Sequence, residues 1–98
     1  MVAFFENLIV WQKAQEFTIT VYGTFADTKD YGFRDQIQRA SISIMNNISE
    51  GYGRHSDKAF RHFLLIARGS ASEVKSMLYV VENWGMATTK QFLLSRNK

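Results

Sequence analysis

Arg61, Arg68 and Lys75 stand seven residues apart, and Arg54 and Lys58 precede them. On a helix a seven-residue interval drifts by only ~20°, so the three cations fall on nearly one line. A row of guanidinium and ammonium groups of this kind can neutralise successive phosphates, and repeating it around an assembly multiplies the effect. The competing account is an ordinary charged helix face, with arginine stems laid over apolar neighbours. His55 and His62 add hydrogen-bonding capacity. Between Arg54 and Lys75 the only acids are Asp57 and Glu73, which makes this window more basic than the chain as a whole.

Other chemistry finds little support in the residues. The two histidines are seven apart and belong to neither an HExxH nor an ExxH pattern, so no metal site is expected. The GYG of residues 51–53 lacks the lysine and spacing of a phosphate-binding loop. Ser70 beside Gly69 does not form a nucleophile elbow, and no histidine is placed to serve it as base. Glu50 and Glu73 are better read as structural partners than as acids in a cleft. Neither catalysis nor a cofactor is expected. With no aromatic RNA-recognition motif or recognition-helix pattern, any nucleic-acid binding would be mainly electrostatic.

The elements that would carry these groups follow from composition and periodicity. Ninety-eight residues, 46% of them hydrophobic and 14% aromatic, suit one small domain. A domain of this size buries only roughly 60–70% of its unfolded surface, which makes association of copies a natural source of stability. The absence of cysteine removes disulfides and thiolate metal sites. Apolar runs such as FLLIA, 63–67, are far short of the ~20 residues of a spanning helix. The start, MVAFFENLIVW, lacks the leading charge of a secretory signal. A soluble, cytoplasmic protein is the expectation, and a net charge of +3 is compatible with an anionic partner.

There is no proline, so long helices are the natural reading. Trp11, Ala14, Phe17, Val21, Tyr22 and Phe25 recur at helical spacing and predict a first helix over about 10–27, weakened by ~1 kcal/mol at Gly23. Asp30 is placed to cap a second helix over 33–50, with Phe33, Ile37, Ala40, Ile44 and Ile48 inward. Gly51 and Gly53 would close it in the left-handed conformation. Ser56 is the expected cap of a third helix, 57–84, which turns Phe60, Phe63, Leu64, Ala67, Ala71, Val74, Met77, Leu78 and Val81 inward. Gly85 would stop it, and Thr88 or Thr89 would cap a short fourth helix, KQFLLS. Trp11, Phe17, Phe25, Phe60, Phe63 and Trp84 are expected in the core, and Tyr22, Tyr52 and Tyr79 at rims or subunit contacts. Phe4, Phe5, Leu8 and Ile9 would cover a bundle end or reach a neighbour. The fold class is all-α: an antiparallel up-down four-helix bundle with a short last helix, in a single domain over residues 1–98.

A second stripe runs beside the apolar one on helix two: Gln36, Arg39, Ser43, Asn47 and Glu50, three and four residues apart. In an antiparallel hairpin turning near Arg54, Asn47 would lie near Phe63, Ser43 near Ala67, Arg39 near Ser70, and Gln36 near Glu73 and Val74. Arg39 would then be within reach of Glu73. Small residues, Ala40, Ser43, Ala67, Gly69, Ser70 and Ala71, would let the backbones approach. The stripe reads as a buried, hydrogen-bonded seam that fixes register. Solvated side chains that satisfy themselves locally are the alternative.

The strings QIQRASISIMNNISEGYGR and FRHFLLIARGSASE, with FENLIVWQKA near the start and YGF before helix two, closely resemble the bacterial four-helix bundle family associated with intervening sequences in 23S rRNA genes. The resemblance runs from Phe5 to Leu94. It extends to the accessory bundle proteins of diversity-generating retroelements, which assemble as pentamers and bind nucleic acid with a reverse transcriptase. It therefore implies a homo-oligomer, pentameric by that analogy, with RNA or DNA as ligand and a reverse transcriptase or other protein as partner. The motif positions carried over are Gln36, Arg39, Ser43, Asn47, Glu50, Gly51, Gly53, Arg54, Gly69, Ser70 and Glu73. In two places the chain departs from the pattern. Met45 stands where the family commonly has a proline, and the sequence stops at Lys98, where family members continue through a full fourth helix.

Overall fold

A computed structural model describes residues 4–84 of the chain. Among them, a 3-10 turn, Phe5–Asn7, leads into three α-helices: α1 (Ile9–Thr24), α2 (Tyr31–Gly53) and α3 (Asp57–Trp84), and no strand occurs. Successive helices run antiparallel, and α2 is the central one, packing against α1 on one side and α3 on the other. The 28 residues of α3, at 1.5 Å of rise each, account for the 43 Å long axis of the molecule. The expected short helix KQFLLS, its Thr88 or Thr89 cap and the Gly85 stop lie outside the described residues.

Each helix begins for a local reason. Leu8, the residue before α1, offers no capping side chain, but Gln12 Nε2 reaches back to the Glu6 carbonyl at 2.9 Å, and Phe5 packs edge-on against Trp11. Asp30 Oδ1 accepts the Phe33 amide at 3.1 Å, so the cap lies where the sequence places it. Ser56 Oγ accepts the Ala59 amide at 3.2 Å, and α3 spans the predicted residues.

Two helix ends differ from expectation. The first helix stops at Thr24, three residues early, because Phe25 turns inward to 1% exposure and packs its ring 5.8 Å from that of Phe33. Helix two continues to Gly53, and its glycines do not close it in the left-handed conformation. His55 instead takes the positive φ, 55°, in the turn that follows.

The core is divided along the rod. One cluster joins Val21 of α1 and Phe25 just beyond it to Ile37 and Ala40 of α2 and Val74 and Val81 of α3. The other, at the opposite end, joins Ala14, Ile48 and Ala67, with Trp11, Phe60 and Leu64 against them, and Ile44 touches both. Leu8 packs on this second cluster, whereas Phe4 and Ile9 are exposed. Where α1 crosses α2, the buried Thr18 hydroxyl is shared between the Ala14 carbonyl at 2.8 Å and the Ser41 carbonyl at 3.1 Å. Among the described residues no buried side-chain polar atom lacks a partner.

Several residues expected inside are outside. Phe17 is 37% exposed and Trp84 82%, and Ala71 is also exposed. The buried face of α1 follows Ala14, Thr18 and Val21, so a polar residue takes the central position and Phe17 falls on the edge of the face. Tyr22 and Tyr79 are exposed and Tyr52 half-buried, its ring edge-on to Phe60. Among the described residues no helix is long and apolar enough to cross a membrane.

Candidate functional site

The α2–α3 hairpin brings the polar stripe of α2 against α3. Asn47 Nδ2 donates to the Ser43 carbonyl at 2.8 Å and to Ser43 Oγ at 3.0 Å, and Ser43 Oγ in turn lies 3.0 Å from Ser70 Oγ. Toward the far end of the hairpin, Gln36 Nε2 donates to Glu73 Oε2 at 3.1 Å. Ser43 thus meets Ser70, one helical turn beyond the expected Ala67, while Gln36 meets Glu73 as expected.

Only the middle of this seam is interior. Ser43, Asn47 and Ser70 are half-buried, whereas Gln36, Arg39, Glu50 and Glu73 face solvent. Arg39, expected within reach of Glu73, is exposed, and the Glu73 carboxylate is bonded by Gln36 instead. Arg39 has no ion pair among the described residues. Glu50 pairs with Arg54 of its own hairpin end at 3.5 Å, with both side chains more than half exposed, an arrangement that contributes little stability.

The two helices approach closely at Gly51. A Cβ added to Gly51 would lie 2.6 Å from Phe63 Cβ and 3.3 Å from Phe60 Cα. At Gly69, expected to serve the same purpose, an added Cβ meets nothing within 4 Å. Contact between α2 and α3 therefore tightens beside the connecting turn, where Phe60 and Phe63 close over α2.

On the other flank of α3 lie the cations. Arg61, Arg68 and Lys75 are all exposed, as is Lys58, and none has an ion pair among the described residues. Arg54 does not extend their line. Its guanidinium is held by Glu50 and sits 5.1 Å over the Phe63 ring, on the seam side of the hairpin. Lys58 is displaced by about 80° around the helix from Arg68. The row proper is Arg61, Arg68 and Lys75.

Beside the two arginines, Phe60, Leu64 and Leu65 floor a shallow depression, with Asp57 at its end. It adjoins a second hollow at the hairpin tip, formed by Tyr52, His55 and Ser56, with Asp57 and Phe60 common to both. Leu65 is 44% exposed and Tyr79 51%. Both share the cationic strip, a placement missed in the sequence although the heptad interval from Leu65 through Ser72 to Tyr79 was readable there. Among the described residues no group of three or more potential metal ligands comes together.

A family model described as 23S rRNA-intervening sequence protein matches residues 6–98 of the chain. No curated protein matches it.

Proposed function

Because the chain belongs to the 23S rRNA-intervening sequence protein family, we propose that it is a non-catalytic, cytoplasmic, homo-oligomeric helical bundle that binds RNA or DNA by its phosphates. The same reading makes the bundle four-helix in type and the assembly a pentamer. One observation carries it: Arg61, Arg68 and Lys75 are exposed on one line of α3, and no carboxylate pairs with them among the described residues. A cation already paired would have to give up its partner before meeting a phosphate, whereas these three would not.

At 1.5 Å per residue the row is about 21 Å long, with charges ~10.5 Å apart. Three phosphate contacts give a modest affinity and a salt slope of roughly −2 to −3 per chain. Several copies on one strand raise the affinity by effective concentration. The test is fluorescence anisotropy of a labelled oligonucleotide, titrated with wild type and with an Arg61→Gln, Arg68→Gln, Lys75→Gln variant between about 50 and 200 mM salt. The expected result is weaker binding and a shallower slope in the variant. Binding that ignores both the substitutions and the salt would refute the proposal.

A second reading, a protein-interaction module without a nucleic-acid role, is favoured by the exposed apolar residues Phe17, Ile66 and Val80. Tight association with a protein partner that survives high salt would select it.

A further inference from the structure

We infer that the α3 face is built for single-stranded rather than double-stranded nucleic acid, with Tyr79 as a surface on which a base stacks. This rests on the proposed phosphate binding and specifies its substrate class.

The strip on which the cations stand is not uniformly charged. In chain order it reads Arg61, Leu65, Arg68, Ser72, Lys75, Tyr79, steps of four and three that keep all six within about 80° of arc. Leu65 and Tyr79 are about half exposed. Tyr79 lies one turn beyond Lys75, and its backbone carbonyl is taken by Asn83 Nδ2 at 2.7 Å, which leaves the ring itself outside that contact. At the other end of the strip, the floor of Phe60, Leu64 and Leu65 opens between and beside Arg61 and Arg68. Cations and apolar surface therefore alternate along a single line.

The two forms of nucleic acid meet such a line differently. A duplex presents a phosphate wall with its base faces hidden in the stack. Laid on this strip it would press phosphates over Leu65 and the Tyr79 ring, which remove water from charge without replacing it. A single strand exposes base faces between its phosphates. Bases on the apolar floor and on Tyr79, with phosphates at Arg61, Arg68 and Lys75, satisfy both kinds of surface at once, as in stacking platforms set in cationic grooves. Nothing on the strip reads a base edge or a 2′-hydroxyl selectively, so RNA and DNA strands share this chemistry.

The experiment uses the full chain and unstructured oligo(U), oligo(dT) and a mixed-sequence duplex, each of about 20 nucleotides per strand, enough to span the row. Wild type, Tyr79→Ala, Tyr79→Phe and the triple charge variant are compared by anisotropy, with particle mass and thermal melting recorded on the same samples. The expected result is a preference for single strands that Tyr79→Ala lowers by roughly 5- to 100-fold and Tyr79→Phe retains. Duplex binding should not fall in either tyrosine variant, and mass and melting should be unchanged. The two RNA and DNA arms show whether one sugar is favoured.

Equal affinity for duplex and single strand, with Tyr79→Ala silent, would overturn this inference. If the charge variant then still lost binding, the phosphate reading would stand without it. A change of particle mass in Tyr79→Ala would assign the ring to a contact between copies and overturn it as well. No binding of any oligonucleotide would remove both.

Discussion

Gly51 and Gly69 are both helical glycines in the matched motif, and the structure gives them opposite roles. At Gly51 a methyl group has no room, since it would lie 2.6 Å from Phe63 Cβ and 3.3 Å from Phe60 Cα. At Gly69 the same methyl group meets open space. Gly51→Ala should therefore destabilise the fold by about 1–3 kcal/mol through overpacking, despite the better helix propensity of alanine. Gly69→Ala should stabilise it by about 0.5–1 kcal/mol, the ordinary gain of alanine over glycine within a helix. Urea denaturation of the two variants reads both numbers, and equal effects of one sign would contradict the difference in packing. His55 makes the complementary point: a non-glycine residue takes the left-handed conformation of the turn while the nearby glycines remain helical.

Between α2 and α3, a short chain of hydrogen bonds contributes to the register. Asn47 donates to Ser43, and Ser43 meets Ser70 where the flanking backbones exclude most of the water. A hydroxyl pair in such a half-buried place contributes about 0.5–1.5 kcal/mol. In a double-mutant cycle of Ser43→Ala and Ser70→Ala, a coupling of that size is expected, and thermal or urea unfolding of the four proteins measures it. The corresponding cycle of Glu50→Ala with Arg54→Ala should give a coupling within about 0.5 kcal/mol of zero, because both partners are more than half exposed. A large value for the exposed pair and none for the serines would reverse the account of what aligns α2 with α3.

For the whole molecule, apolar side chains away from the cationic strip are exposed: Phe17 and Ile19 on α1, and Ile66 and Val80 on α3. Burial of about 25 cal/mol per Å² of such surface favours association of copies. Sedimentation or light scattering should therefore report a particle several times the 11.3 kDa chain mass, and a strict monomer at micromolar concentration would count against the assembly. The sequence by itself determined that the described chain is helical, that Asp30 and Ser56 are N-caps, and the span of α3, because 3.6-residue periodicity and capping chemistry act within a few neighbouring residues. It also displayed the Arg61, Arg68 and Lys75 line, which depends only on position along one helix. What it did not decide were contacts between different helices: that Arg54 sits over Phe63, that Gln36 and not Arg39 bonds to Glu73, and that Gly51 and not Gly69 lets the backbones close. These depend on how far each side chain is rotated from its neighbouring helix and on the crowding found there. Such quantities exist only once α2 and α3 are packed together, and tertiary structure alone decided them.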